Sequence, residues 1–233
     1  MSSQKGQSRA VAYVEALYGM LYPVGEFRPQ DASAPIAARV ARDLGVSRPA
    51  AGEMLGRLVE QGLVDRGPGG SLGLTADGIA LAESGIRATR ILETFLIEYL
   101  GYGPAEVHAL ALQARDAFDD ELLERLHERL GSPQRCPHGW PLGAAEEREE
   151  ASRLQRLSEL QAGDRCEVVG VLESDADLVG WLFEVGLVPG AALEVHDVQR
   201  AGGHATVGLG GGANDVVIGD RAARQVFVVP ACS

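Results

Sequence analysis

The amino-acid sequence predicts an α+β chain, helical through its first two thirds and strand-rich in its last third. Three observations carry this. Apolar residues recur at helical spacing as far as residue 130, two short alternating runs interrupt that pattern between residues 63 and 75, and from residue 163 onward five short strand-like runs follow one another between glycine-rich turns.

Over residues 8–22, Val11, Val14, Leu17, Tyr18 and Leu21 form one stripe of a helix that Pro23 and Gly25 end. A second helix covers residues 36–44 and stops at Gly45. A third begins at Ser47 and Pro49 and runs to Gln61, where Gly62 closes it. Ser47 suits an N-cap because its oxygen accepts from first-turn N–H groups, and Pro49 falls where a missing N–H costs little. The link over residues 45–48 has the length of a helix-turn-helix. Residues 63–66 and 72–75 read as strands joined by Gly67-Pro68-Gly69-Gly70. Helix, turn, helix and hairpin in that order predict a winged helix rather than an arbitrary small α+β domain.

Thr75-Ala76-Asp77-Gly78 opens a long helix through Tyr99, which Gly101 and Gly103-Pro104 break. A further amphipathic helix covers residues 105–130, and Gly131-Ser132-Pro133 ends it. Two successive helices with Leu, Ile and Phe stripes and little else to cover them predict a helical dimerisation unit in preference to an internal bundle. Residues 143–161, beginning GAAEEREE, are highly charged; they read as a linker or exposed helix whose Glu residues form a solvated face. The runs CEVVGVL, ALEVHDV, ATVGL, DVVIG and QVFVV, with a short helix over residues 176–184, predict a small β-barrel. The expected domains are therefore 1–86 (winged helix-turn-helix), 87–142 (helical dimerisation), 143–162 (linker) and 163–233 (barrel).

Charge divides along the same lines. The 233 residues carry a formal net charge of −12, but residues 1–86 hold 8 Lys/Arg against 9 Asp/Glu, whereas residues 87–233 hold 13 against 24. Such acidity argues against a generic nucleic-acid binder but does not exclude DNA binding, since the near-neutral first segment approaches a phosphate backbone without strong repulsion. A hydrophobic fraction of 45% supports packed cores, and 5% aromatic residues make those cores mainly Leu, Val and Ala. One Lys beside 20 Arg reads first as base composition. There is no apolar run of membrane-spanning length, the opening MSSQKGQSRA lacks the apolar centre of a secretory signal, and Cys136, Cys166 and Cys232 make neither a disulfide framework nor a zinc ribbon. The expectation is a cytoplasmic chain with no membrane partner. Catalysis is not expected either: the glycine runs 67–70 and 208–212 lack the Gly-Lys-Ser/Thr of a phosphate loop, and the five His residues stand in no Ser/His/Asp context. No small organic substrate is implied. A peptide adaptor would want an aromatic-lined groove, and Trp181, Phe183 and Phe227 read instead as core.

Five segments carry a family resemblance: PIAARVARDLGVSRPAAGEMLGRLVEQGLVDR, LTADG, EYLGYGPAEVHALA, CPHGWPLG and LFEVGLVPGAALEV. Taken in this order they resemble the diphtheria toxin repressor family of metal-responsive transcription regulators in its long form, over almost the whole chain. The resemblance implies a carboxy-terminal SH3-like domain, and a homodimer that sets two recognition helices about one turn apart on a pseudo-palindromic double-stranded DNA operator. Ser47, Arg48, Pro49, Ala50 and Glu53 would then face base edges, with Arg39, Arg42, Arg57 and Arg66 placed for phosphates. The regulated genes would be those of metal homeostasis.

The family's metal ligands carry over unevenly. Its first-helix positions fall on Ala12 and Glu15, and its remaining primary-site positions on Leu112, Arg115 and Asp116, so three ligands are lost, one of them to a permanent cation. Its ancillary positions fall on Thr89, Glu93, His108, Asp175 and Leu178, of which Glu93 and His108 match. One reading follows in which Mn(II), preferred over Fe(II), is held by Glu93 and His108 with Asp175 or Asp116, and with Glu15. In the alternative, the regulator is metal-independent or otherwise liganded, and the Arg115 guanidinium replaces the primary-site metal by pairing with Glu15 or Asp116. Cys136-Pro137-His138-Gly139 reads as a rigid turn, since two donors make no closed site.

Overall fold

The computed structural model describes residues 2–22, 35–210 and 214–231. Pro23, Gly25, Cys232 and residues 211 and 212 of the second glycine run lie outside the described residues. Helix α1 (Ser2–Leu21) leads to α2 (Ile36–Asp43) and α3 (Arg48–Glu60). Ser47 caps α3, its Oγ accepting from Ala50 N at 3.3 Å. Strands β1 (Val64–Arg66) and β2 (Leu72–Leu74) pair antiparallel with Val64 opposite Leu74, and α4 (Ala76–Glu98) follows. Thr75 joins hairpin to helix: its hydroxyl donates to Gly62 O at 2.7 Å and accepts from Gly78 N at 3.1 Å. This is the winged helix.

One helix serves two cores. Ala82 and Ile86 of α4 pack with Val14, Leu17, Tyr18, Val40, Leu55 and Leu58 of the head. Further along α4, Ala88, Ile91 and Leu92 pack with Ala111, Leu123, Trp140, Leu154 and Phe227. Since α4 is continuous, its orientation in the second core dictates that of the head.

Helix α5 (Pro104–Ala114), a 3-10 turn at Arg115–Ala117 and α6 (Asp120–Arg129) occupy the stretch expected as one helix. Phe118 is extended at φ −109 and ψ 123, and Asp119 then caps α6 by accepting from Leu122 N at 2.9 Å. Helix α7 (Ala144–Ala151) comes next. The remainder is a six-stranded antiparallel sheet of β3 (Gln155–Arg156), β4 (Arg165–Val171), β5 (Ala192–Gln199), β6 (His204–Leu209), β7 (Asn214–Gly219) and β8 (Val226–Pro230), in the order β3-β8-β4-β5-β6-β7. Helices α8 (Ala176–Glu184) and α9 (Asp220–Ala223) accompany it, and Val168, Val171, Leu182, Leu187, Val195, Val207 and Ile218 fill its interior.

Three expectations are corrected here. Arg39 lies with Val40 and Ala41 on the buried face of α2 and is 8% exposed, so it is not offered to a phosphate. The acidic run at the start of α7 is not all solvated face. Glu147 is buried and receives Arg90 Nη1 at 3.0 Å and Nη2 at 3.2 Å. Asp175 is occupied as the N-cap of α8, accepting from Leu178 N at 3.2 Å, and pairs with Arg221 on its other oxygen.

Candidate metal centre

The loop after α6 folds back on itself, with Cys136 N donating to Trp140 O and Leu142 N to Gln134 O, both at 2.9 Å. It presses against β4. At Gly139 φ is +97, and a Cβ there would lie 1.9 Å from Val169 O, so only glycine fits both the turn and the approach. Trp140, fully buried, donates Nε1–H to Val171 O at 2.9 Å, and Val171 N donates to His138 O at 3.0 Å. The loop is thereby fixed opposite Glu173, just beyond β4, and opposite Glu93 on α4.

One ligand atom from each of Glu93, Cys136, His138 and Glu173 lies within 4.8 Å of the others, and all four are buried. His138 Nδ1 is 3.2 Å from Glu173 Oε1 and 3.7 Å from Glu93 Oε2, while Cys136 Sγ is 4.0 Å from Glu173 Oε1. His108 closes one side, its Nδ1 2.8 Å from Glu93 Oε1 and 2.5 Å from Glu173 Oε2. His138 Nε2 stands 2.9 Å from Pro104 O, a carbonyl that only accepts; the Nε2–H is committed there, and Nδ1 faces the carboxylates.

Two carboxylates this deep demand positive charge. Burial opposes ionisation of Glu173, but the charge of His138 and the hydrogen bond and charge of His108 outweigh it and hold the carboxyl well below the usual range. Burial likewise disfavours charged His108, yet hydrogen bonds to Glu173 and Glu93 push it up to about 10; His138 moves upward under the same carboxylates. Burial pushes the Cys136 thiol up to about 12, so without a cation it stays protonated. Even so, among the described residues Glu93 Oε2 receives no hydrogen bond, and His138 Nδ1 meets Glu173 Oε1 at 3.2 Å as an ion pair without hydrogen-bond geometry. A buried carboxylate oxygen and a ring nitrogen, neither of them in a hydrogen bond and both close to a thiol and a second carboxylate, are donors suited to a divalent transition metal. His108, with 35% of its side chain exposed, lines a cavity of about 500 Å³ together with Glu15, Arg115, Glu173 and Gln225, which opens the cluster toward solvent.

Of the residues expected to ligate, the structure brings Glu93 and His108 together. Glu15 is instead held by Arg115, Asp116 lies exposed on the 3-10 turn, and Asp175 caps α8. Cys136, His138 and Glu173 were not expected. The Cys-x-His spacing was a signal, but the two carboxylates that complete it come from distant segments. Glu173 stands two residues from the position that the resemblance pointed to.

On the head, Arg42, Ser47, Arg48, Pro49, Ala50, Glu53, Arg57 and Arg66 are exposed. Arg57 and Glu53 pair one helical turn apart, which offsets part of the positive charge at that point.

Residues 75–142 match the family of iron dependent repressor, metal binding and dimerisation domains, and residues 155–230 match FeoA domains. The iron-dependent repressor IdeR of Mycobacterium tuberculosis (strain ATCC 25618 / H37Rv) is 31% identical over 192 residues, which cover 77% of this chain and 83% of that protein. The diphtheria toxin repressor of Corynebacterium efficiens is 29% identical over 71% of this chain and 76% of its own length. Among solved structures, a manganese-dependent transcriptional repressor in complex with manganese superposes with a TM-score of 0.80 at 30% identity, covering 93% of this chain and 99% of that one. Winged helix, helical middle and FeoA-type sheet thus occur here in the same order and with recognisable sequence, and the chain belongs to the diphtheria toxin repressor family of metal-dependent transcriptional repressors.

Proposed function

We propose that this chain is a DNA-binding repressor whose affinity for its operator is set by one divalent ion held by Glu93, Cys136, His138 and Glu173, with His108 at the rim. The observation that carries this is the pair of buried atoms outside any hydrogen bond, Glu93 Oε2 and His138 Nδ1, 3.7 Å apart beside Cys136 and Glu173. An ion bound there supplies the positive charge that lets two buried carboxylates and a thiolate sit together. Mn(II) and Fe(II) both accept this donor set. Cys136 softens it relative to an oxygen and imidazole site, which weakens the grounds for preferring Mn(II).

The residues explain how such a centre reaches DNA. Glu93 belongs to α4, Cys136 and His138 to the loop packed on β4, and Glu173 to the carboxy-terminal domain. Joining them fixes α4 against the rest of the chain, and the head follows because Ala82 and Ile86 of the same helix lie in its core. In a homodimer on a pseudo-palindromic operator, Ser47, Arg48, Pro49, Ala50 and Glu53 would face base edges, while Arg42, Arg57 and Arg66 reach phosphates. Domain limits near residues 86, 142 and 162 are part of this reading, as is a cytoplasmic setting. Among the described residues no helix is long and apolar enough to cross a membrane. A regulator of this kind performs no catalysis.

A mobility shift tests the proposal, using duplex DNA from upstream of the chain's own gene at one fixed salt concentration. EDTA-stripped protein should bind about 5–150-fold more weakly than protein supplied with Mn(II) or anaerobic Fe(II), the usual span of an allosteric coupling. Equal affinity in both conditions would refute it.

A further inference from the structure

Arg115 sits at the end of α5 and is 8% exposed. Its guanidinium forks onto Glu15 of α1, with Nη1 2.5 Å from Oε1 and Nη2 2.9 Å from Oε2. The same Nη1 reaches Thr89 Oγ1 at 3.1 Å and Gly85 O at 3.4 Å, both on α4. One cation therefore gathers two carboxylate oxygens, a hydroxyl and a carbonyl from two helices onto the end of a third. The site is built for closeness: a Cβ at Gly85 would lie 2.3 Å from Glu15 Oε1 and 2.7 Å from Val11 Cγ1, so glycine there lets α1 lie against α4. Burial pushes the Glu15 carboxyl upward, and Arg115 is the largest opposing influence.

We propose that Arg115 is a built-in, permanently charged ion that seats α1 of the DNA-binding head on α4 and α5, so that this junction is held without any metal and the metal response rests on a single centre per chain. The single-centre clause depends on the function proposed above; the seating of α1 does not. A guanidinium neither dissociates from the chain nor loses its proton in the physiological range. This junction accordingly does not respond to metal concentration, and only the centre at Glu93, Cys136, His138 and Glu173 is left for the metal to switch. Arg115 is thus a positioning residue for the head.

Hydrogen exchange on EDTA-stripped, full-length protein tests this without requiring DNA or a working metal centre. Wild-type α1 amides should exchange equally slowly with and without Mn(II). In Arg115→Ala they should exchange at least about 100-fold faster, because Glu15 is left buried and unpaired. Arg115→Lys keeps the charge but loses the fork, and should fall between the two; it carries the comparison if Arg115→Ala does not fold. Arg115→Glu is the sharpest variant. It sets a second carboxylate against that of Glu15, so α1 should be unprotected in EDTA, recover its protection with Mn(II), and bring one additional ion per chain by elemental analysis. A purely packing role would show no such rescue, and its absence would overturn the proposal. So would wild-type α1 that is protected only with Mn(II), or an unchanged exchange rate in Arg115→Ala. If the metal centre itself is wrong, wild-type protein binds no ion, while exchange of α1 in stripped protein still reports on Arg115.

Discussion

His138→Ala is expected to weaken binding of a divalent metal by at least about 100-fold, measured by competition with a chelator of known affinity. Replacing a partner that merely orients a ligand typically costs 10–100-fold in metal affinity, and here a direct donor is removed. The change also frees the Pro104 carbonyl and removes one of the two imidazoles that face Glu93 and Glu173, leaving His108 beside them. Cys136→Ala should act in the same direction. His196→Ala supplies the control, since that imidazole lies on β5 near Asp215 and takes no part in the cluster. A small effect of His138→Ala, comparable to that of His196→Ala, would remove His138 from the centre.

Arg90→Ala is expected to cost about 3–5 kcal/mol of folding stability, read from urea unfolding, because it strands the Glu147 carboxylate in the interior. The Arg90 and Glu147 side chains are 2% and 1% exposed. Arg90 Nη1 also donates to Pro141 O at 2.6 Å, so the same guanidinium clamps α7 and the end of the loop that carries Cys136 and His138 to α4. Burial pushes the Glu147 carboxyl upward and Arg90 pulls it back; without Arg90 it should take up a proton rather than remain charged. Arg90→Met combined with Glu147→Leu should recover most of the lost stability, since two apolar side chains need no counter-charge. A double variant as unstable as Arg90→Ala would show that the bond to Pro141, and not the ion pair, carries the effect.

The fold was legible wherever local signals agree with tertiary structure. Ser47 before Pro49, Thr75 before Asp77, and the 67–70 turn each fix their element within a residue or two, because caps and turns act through the chain's own backbone. The break at 115–119 was not legible by periodicity: leucines continue on both sides of it, while the backbone leaves the helix at an extended Phe118 and Asp119 caps a new one. Glu147 illustrates the same limit, as its run reads as solvated until Arg90 is known to face it. In the candidate site, Glu93 and His108 stood out through the family resemblance. Cys136 and His138 were visible as a pair of donors but lacked partners, which come from α4 and from beyond β4. Their convergence depends on Gly139 and Trp140 pinning the loop to the sheet, a tertiary event without a local pattern.

The most direct measurement is a titration of stripped protein with Co(II), followed by absorbance. If Cys136 and His138 bind the ion with Glu93 and Glu173, a near-ultraviolet thiolate-to-cobalt band should grow to saturation at one ion per chain, vanish in Cys136→Ala, and persist in Cys166→Ala, whose thiol lies in the core of the sheet. No band at saturation, or one that survives Cys136→Ala, would contradict a metal centre at this place.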